Sequence, residues 1–433
     1  MLYLRPYQTA GAEWLASKRF ALLADEMGVG KSAQAIRACD LVGAMDVLVI
    51  CPANARVNWQ REFARFGTRD VNLKIVSYEH ATKNRHVGKP DVLILDEAHY
   101  LKSATSKRTV NIMGKTGVVH DAGAVWALTG TPAPNNVAEL WPFLFTSGAY
   151  VCDYDTFVQE FCNSWHEPVR NRLIITGTKD KPAFKKLLEP LMMRRLKKDV
   201  ATEMPSITFS DVLVAAGPVD HTKHFTKYIN LKDFDDRSAL DVQLAAEDKL
   251  LKATHGDLTT MLLMDAKRSS TLRRYVGLQK VDAVGDMVAQ ELKDKAYAKL
   301  VIFAIHRGVI ETLRERFAKY GVVTLYGGTP PEKKQYNIDR FQTDEGCRIF
   351  IGNIQAAGTA ISLTAAHNVL FAETDWVPGN NAQAAMRCHR IGQTQPVSVR
   401  FAVLPGSIDD AVMGTVRRKA SDLASVFDDD DFS

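Results

Sequence analysis

The 433-residue chain contains no apolar run approaching the roughly 18–20 residues a membrane-spanning helix needs, so neither a transmembrane segment nor a membrane partner is expected. Its first residues, Met1-Leu2-Tyr3-Leu4-Arg5-Pro6, lack the basic-then-apolar order of a signal peptide. Cysteines are few and scattered: Cys39, Cys51, Cys152, Cys162, Cys347 and Cys388 form no C-x-x-C pair. That argues against a disulfide framework and a structural zinc site, and Cys152, Cys162 and His166 are too irregularly spaced to change it. No repeat or low-complexity linker is visible. Charge of one sign is also scarce: the formal net charge is +5, although Asp428–Asp431 gather four negatives at one end. The rest of the chain is therefore more basic than the total suggests, which gives mild support to a polyanionic partner.

What is present is a rhythm of short apolar runs, turns and amphipathic stretches. The runs are Val47–Cys51, Val92–Leu95, Val125–Leu128, Leu300–Ile305, Val322–Tyr326, Ile349–Ile351, Val369–Ala372 and Val399–Val403. Continuous apolar strands separated by helical stretches are the pattern of parallel sheets buried on both faces, so the fold class expected is α/β. The runs fall into two clusters, before about residue 130 and after about residue 300. Between them Thr208–Ala215 is the best strand run, and Leu240–Lys252 and Val281–Lys295 are charged and helix-favouring. Two α/β lobes with a mostly helical insertion are predicted. The boundaries drawn are 1–210 for the first lobe with a helical protrusion over about 138–200, 211–285 for an insertion and linker, 286–426 for the second lobe with a C-terminal brace, and 427–433 for an acidic tail.

Three segments carry chemistry. Leu22-Leu23-Ala24 followed by Asp25-Glu26-Met27-Gly28-Val29-Gly30-Lys31-Ser32 and a helix-favouring stretch has the parts of a phosphate-binding loop. Its glycines let backbone N–H groups turn onto phosphate oxygens, Lys31 would reach the β- and γ-phosphates, and the Ser32 hydroxyl would take Mg²⁺. Asp25 stands where that loop normally has its first glycine. Asp91–Leu95 then runs into Asp96-Glu97-Ala98-His99. At the end of a parallel strand Asp96 can hold Mg²⁺ while Glu97 orients or deprotonates the attacking water. Finally, Gln383, Arg387 and Arg390 would share one face if their segment is helical, presenting two guanidiniums to a triphosphate as arginine fingers.

With these residues in view the chain resembles the Snf2 family of superfamily 2 helicase-like ATPases, in order and over nearly its whole length. Leu4-Arg5-Pro6-Tyr7-Gln8 is similar to the family's adenine-side motif, and Asp25–Ser32 to its D-E-M-G-x-G-K-[ST] form. Cys51-Pro52 with Asn58-Trp59 and Glu62, Ser77-Tyr78-Glu79, Asp96–His99 with Leu101-Lys102, and Leu128-Thr129-Gly130-Thr131-Pro132 follow. Next come Arg194-Arg195-Leu196-Lys197-Lys198-Asp199-Val200, Phe303–Arg307, Tyr326-Gly327-Gly328 and Phe341-Gln342. Last are Trp376, Pro378 and Gln383 through Gln393. Ile354–Gly358, Phe371-Ala372-Glu373 and Trp376 look like the distant branch that includes the annealing helicases, while Ala360 and Ser362 depart from the usual glycine and asparagine.

The resemblance implies two RecA-like lobes with parallel sheets, Snf2-type helical insertions, ATP and Mg²⁺ in the cleft between the lobes, and double-stranded or forked DNA across both. It implies nucleotide contacts from Arg5, Tyr7, Gln8, Met27, Gly28, Val29, Gly30, Lys31, Ser32, His99 (as γ-phosphate sensor), Gly358 and Gln383. It implies catalytic roles for Lys31, Asp96, Glu97, Arg387 and Arg390. For DNA the matched positions are Ser77, Tyr78, Lys102, Thr129, Arg307, Asn353 and Trp376, with extra phosphate contacts from Arg194-Arg195, Lys197-Lys198, Lys267-Arg268 and Arg273-Arg274. Trp14, Trp59 and Trp141 read as core. The expected function is a DNA-dependent ATPase that translocates on duplex or forked DNA and remodels DNA or protein–DNA complexes. Two rivals are an ATP-gated clamp that does not move and a strand-separating helicase, which would need a wedge hairpin that the turn residues do not announce. With no accessory module visible, a monomer in the cytoplasm or nucleoid of a bacterial or phage-infected cell is expected. The acidic tail would solubilise, or dock a replication or recombination protein.

Overall fold

The structure is a computed structural model, and it describes residues 4–84, 88–167, 172–201, 203–217, 266–357, 361–390 and 392–427. Gly358, Ala360, the stretch Leu240–Lys252 and the tail Asp428–Asp431 lie outside these. The chain divides into two units, Met1–Met204 with Lys419–Ser433, and Pro205–Arg418.

In the first unit six strands form one parallel sheet: β1 (Phe20–Leu23), β2 (Asp46–Cys51), β3 (Asn72–Ser77), β4 (Val92–Asp96), β5 (Ala124–Leu128) and β8 (Met192–Met193), in the order β3-β2-β4-β5-β1-β8. A separate antiparallel ribbon is made by β6 (Cys162–Glu167) and β7 (Arg172–Thr178). The apolar runs are continuous because both faces of the sheet are covered. Leu48, Ile50, Leu93, Leu95, Val125 and Ala127 point into one core, and Val47, Val49, Val92, Ile94, Trp126 and Leu128 into the other. Helix α1 (Pro6–Ala16) precedes β1, α2 (Lys31–Val42) follows it, α3 (Arg56–Phe66) follows β2, and α4 (Tyr78–Lys83) follows β3.

In the second unit β9 (Ile207–Leu213), β10 (Leu300–Ala304), β11 (Val322–Leu325), β12 (Ile349–Asn353), β13 (Asn368–Phe371) and β14 (Val397–Val403) form another six-stranded parallel sheet, ordered β11-β12-β10-β13-β14-β9. Its strands alternate in the same way between two cores. Both units are α/β lobes, each built on one parallel sheet.

Three expectations about organisation change. The boundary at 210/211 falls instead at 204/205, because Ile207–Leu213 hydrogen-bonds to β14 along its whole length and so completes the second sheet. A boundary at 285/286 would cut the helix Ala266–Lys293, which buries Tyr275, Leu278, Val281, Val284 and Val288 against the second sheet. The region 138–200 is not only helical, since it carries the β6–β7 ribbon. Helix Ile408–Phe427 packs Ile408, Val412 and Val416 in the second unit, whereas Val426 and Phe427 belong to the core of the first. Among the described residues no helix is long and apolar enough to cross a membrane.

Candidate active site

Parallel strands deliver their carboxyl ends to one edge of a sheet, and here the register brings the chemistry into line. Leu23 of β1 lies beside Leu128 of β5, and Leu128 beside Asp96 of β4. The residues just beyond, Ala24, Thr129 and Glu97, therefore share one rim.

The phosphate-binding loop leaves β1 and enters α2 through Gly28 and Gly30, both at positive φ. Gly30 caps α2 in the left-handed region with no side-chain partner, and a Cβ there would collide with the Gln8 amide. That leaves the first turn of α2 free to offer N–H groups to an anion. Val29 is buried and its carbonyl accepts from Tyr7 Oη (3.0 Å) and Gln8 Nε2 (3.1 Å), so the adenine-side residues grip the loop. Arg5 is exposed and paired with Glu203. Lys31 folds back to donate to the carbonyls of Asp25 (2.7 Å) and Glu26 (3.1 Å). Burial lowers its pKa, opposed by the charges of Glu97, Asp25 and Asp96.

Asp25, the residue in place of the first glycine, is fully buried. Arg195 holds it in a two-pronged pair, Nε to Oδ1 at 2.9 Å and Nη2 to Oδ2 at 2.5 Å, with Gln34 Nε2 on Oδ2 at 3.0 Å. Arg195 also donates to the Tyr7 carbonyl (2.5 Å) and Gln34 Oε1 (2.7 Å), and Gly11 leaves room for both side chains. The reason Arg195 arrives here is β8. Ala24 N–H bonds the Met193 carbonyl and Glu26 N–H the Arg195 carbonyl, so the segment runs alongside the loop. Arg194 donates to the Ala24 carbonyl, and buried Lys197 pairs with Glu26. Arg194, Arg195 and Lys197, read as phosphate contacts for DNA, thus turn inward, while Lys198 is exposed; only the position of the stretch beside the loop in space could have revealed this.

Across the rim, Glu97 adopts the left-handed region (φ 52°), uncommon for a residue with a side chain and a mark of a constrained site. Asp96 Oδ2 accepts from Trp59 Nε1 at 2.8 Å, and the Asp96 carbonyl accepts from Tyr78 Oη at 2.7 Å. Burial, with Glu97 alongside, pushes the Asp96 carboxyl up to about 7. His99 Nδ1 lies 3.0 Å from Thr129 Oγ1 and 3.4 Å from Glu97 Oε2, and Thr129 Oγ1 accepts from Thr131 N–H. The Ser32 hydroxyl and Asp96 carboxylate are hard oxygen donors that suit Mg²⁺, which takes few protein ligands beside phosphates and water. Among the described residues no cluster of three or more His, Cys, Asp or Glu offers a fuller metal cage.

Several DNA candidates are occupied. Tyr78 is fully buried and Thr129 nearly so, so both are internal ties of the first unit. The Ser77 hydroxyl caps α4 by accepting from His80 N–H, and Lys102 pairs with Glu139 at 2.9 Å. Asn353 donates to the Ile305 carbonyl (2.7 Å) and accepts from Gln355 and Ala356 N–H. Trp376 packs on Leu272, Val276 and Leu404 beneath the Arg273 guanidinium, 5.4 Å from its ring. Arg307 is more open: its side chain is 66% exposed, 4.9 Å over the Tyr326 ring, with a 4.0 Å ion pair to Glu311. Buried Glu373 positions it by accepting from Ile305 N–H, His306 N–H (2.9 Å each) and His306 Nδ1 (2.6 Å), fixing the turn before helix Arg307–Arg316.

The expected common helical face for Gln383, Arg387 and Arg390 is also revised. Helix Pro378–Ala385 ends before both arginines, and Arg387 and Cys388 N–H groups bond only three residues back. Gln383 and Arg387 are buried, and Arg390 is anchored to the Ile361 carbonyl at 2.9 Å.

Three outcomes follow from the first unit. Arg195→Ala strands a buried carboxylate and should cost about 3–5 kcal/mol in urea unfolding. Trp59→Phe keeps the ring but removes the donor; Mn²⁺ affinity in the presence of ADP, read by electron paramagnetic resonance, should fall about tenfold. Trp126→Phe, whose indole N–H bonds the Lys18 carbonyl, should leave that affinity unchanged. Because the folded Asp96 pKa lies above its unfolded value, the folded state holds a proton the unfolded chain has released between about pH 4 and 7, and stability falls across that window. Asp96→Asn should therefore raise the melting temperature of metal-free protein more at pH 8 than at pH 5.

The model of the SNF2-related domain matches residues 7–91 and 75–256, and that of the helicase conserved C-terminal domain matches residues 279–392. Similar curated proteins include a SWI/SNF-related matrix-associated actin-dependent regulator of chromatin subfamily A-like protein 1 homolog of Caenorhabditis elegans, 29% identical over 98% of this chain and 62% of that protein. The DNA annealing helicase and endonuclease ZRANB3 of Bos taurus is 26% identical over 96% of this chain and 40% of its own length. The chain thus spans less than two-thirds of these relatives. A solved Sulfolobus solfataricus SWI2/SNF2 ATPase core in complex with dsDNA aligns over 95% of this chain and 90% of that one, at 21% identity and a TM-score of 0.43. With both family models matched in order across most of its length, the chain belongs to the Snf2 family of helicase-like ATPases.

Proposed function

We propose that this chain is a DNA-dependent ATPase that converts hydrolysis into translocation along double-stranded or forked DNA, remodelling DNA or protein–DNA complexes. The observation that carries the reading is the rim of the first unit, where the loop holding Lys31 and Ser32 shares one sheet edge with the adjacent carboxylates Asp96 and Glu97, with β5 between their strands. Lys31 exchanges its two carbonyl partners for β- and γ-phosphate oxygens, and the first turn of α2 supplies N–H groups to the same anion. Tyr7 and Gln8, already bonded to the loop, set the adenine side, with Arg5 at its outer end. Ser32 and Asp96 hold Mg²⁺, which when bound neutralises phosphate charge. Glu97 orients the attacking water and takes its proton. The His99–Thr129 contact gives the rim a link by which the γ-phosphate is sensed.

In the second unit, Arg387 and Arg390, with Gln383 and Gly358, are the residues that the family resemblance implies for supplying charge to a nucleotide's phosphates. Arg307, on a turn held by Glu373 and Asn353, grips the DNA phosphate backbone, which fixes register without reading sequence. A relative named as a DNA annealing helicase supports DNA as the substrate.

Steady-state ATP hydrolysis with no nucleic acid, duplex, fork, single strand and RNA tests the reading. Duplex or fork should stimulate the wild type strongly. Glu97→Gln should lower kcat by about 10²–10⁴-fold while still binding nucleotide, and Lys31→Ala should lose both. Equal slow rates on every substrate would refute DNA dependence.

A further inference from the structure

The β6–β7 ribbon has no role in the site described above. Among the described residues it hydrogen-bonds to no other strand, and a lone two-stranded ribbon is marginal unless its root is fixed. The root is fixed firmly. Cys162 is buried, Lys179 N–H bonds the Phe161 carbonyl (2.8 Å), and the Thr178 amide and hydroxyl both donate to Asp422, at 3.1 and 2.8 Å. Ile175 packs on the core of the first unit. Farther out, Trp165 pairs across the ribbon with Ile174 and remains 44% exposed; Leu173, on the other face, is 43% exposed. A large aromatic held out on an anchored arm loses apolar burial at about 25 cal/mol per Å², a cost that a partner would offset.

Charge identifies the kind of partner. From Cys162 to Lys186 the chain carries six lysines and arginines against only Glu167 and Asp180. An exposed aromatic on a segment this rich in cations fits a polyanion that also presents flat π-surfaces. In an intact duplex the base faces are stacked on one another and closed to an indole; at a junction the unpaired bases expose them.

We propose that the β6–β7 ribbon is a docking surface for unpaired bases at a DNA junction, with the Trp165 indole as the stacking face. It rests on the reading of DNA as the substrate and narrows that substrate to forked DNA. The sequence offers no Asn-Gly or Asp-Gly turn to announce this ribbon.

Binding of the full chain to a blunt duplex, and to a fork with the same duplex plus two single-stranded arms, tests it. Trp165→Ala should weaken fork binding about tenfold, the scale of one lost base–aromatic stack, and leave duplex binding within about twofold. Trp165→Tyr should restore fork binding. A 2-aminopurine at the first unpaired position should change its fluorescence on binding the wild type and the tyrosine variant but not Trp165→Ala. Unchanged fork binding in Trp165→Ala, or equal loss on fork and duplex, overturns the proposal. A wild-type ATPase that neither duplex nor fork stimulates is a distinct result, and removes the DNA reading along with it.

Discussion

A buried carboxylate holds the nucleotide-binding loop in place. Asp25 is shielded from water and would be costly if ionised alone; Arg195 makes it tolerable by meeting both oxygens, while also bonding the Tyr7 carbonyl and Gln34. One guanidinium thereby joins the helix that carries the adenine-side residues, the loop, the helix that follows and the edge strand β8. A glycine at position 25 would remove the counter-charge around which Arg195 and Gln34 are arranged.

The rim beyond the strand ends is built on the same logic of spent hydrogen bonds. Trp59 and Tyr78 take up one side-chain oxygen and the main-chain oxygen of Asp96, leaving the carboxylate held in one orientation. Thr129 on the intervening strand ties His99 to the segment after β5. Groups that look like exposed polar contacts in a linear motif are here internal struts, and the burial that makes them struts also raises the Asp96 pKa. The second unit repeats the device with Glu373, whose carboxyl burial alone would raise but which His306 and the Ile305 and His306 amides hold below its ordinary value. Its reward is a fixed helix start that presents Arg307 outward.

Much was legible without coordinates. Apolar runs gave eight of the strands, because strands buried on both faces must be apolar throughout. The loop Asp25–Ser32 and the pair Asp96-Glu97 were legible because their chemistry is local: neighbouring residues act together on one ligand. The strands β3 and β8 were not, since Asn72–Ser77 is half exposed and Met192-Met193 becomes a strand only by lying against β1. Nor was the ribbon, whose alternating polar residues and Trp165 carry no core signal.

The sequence by itself determined the α/β class, the two lobes, the family, and which residues are candidates to meet phosphate and metal, all properties written in contiguous residues. Tertiary structure alone decided where the long-range partners go. It turned Arg195 from a surface cation into the counter-charge of Asp25, 170 positions away, and Trp59 from core filler into a donor to Asp96. It buried Tyr78 and Thr129, broke the expected arginine helix at Ala385, and raised an anchored ribbon at Trp165. The physical reason is common to all of these. A side chain's charge or hydrogen-bonding capacity is fixed by its type, but what it meets depends on which strands pair, and pairing between distant segments leaves no mark in either segment alone.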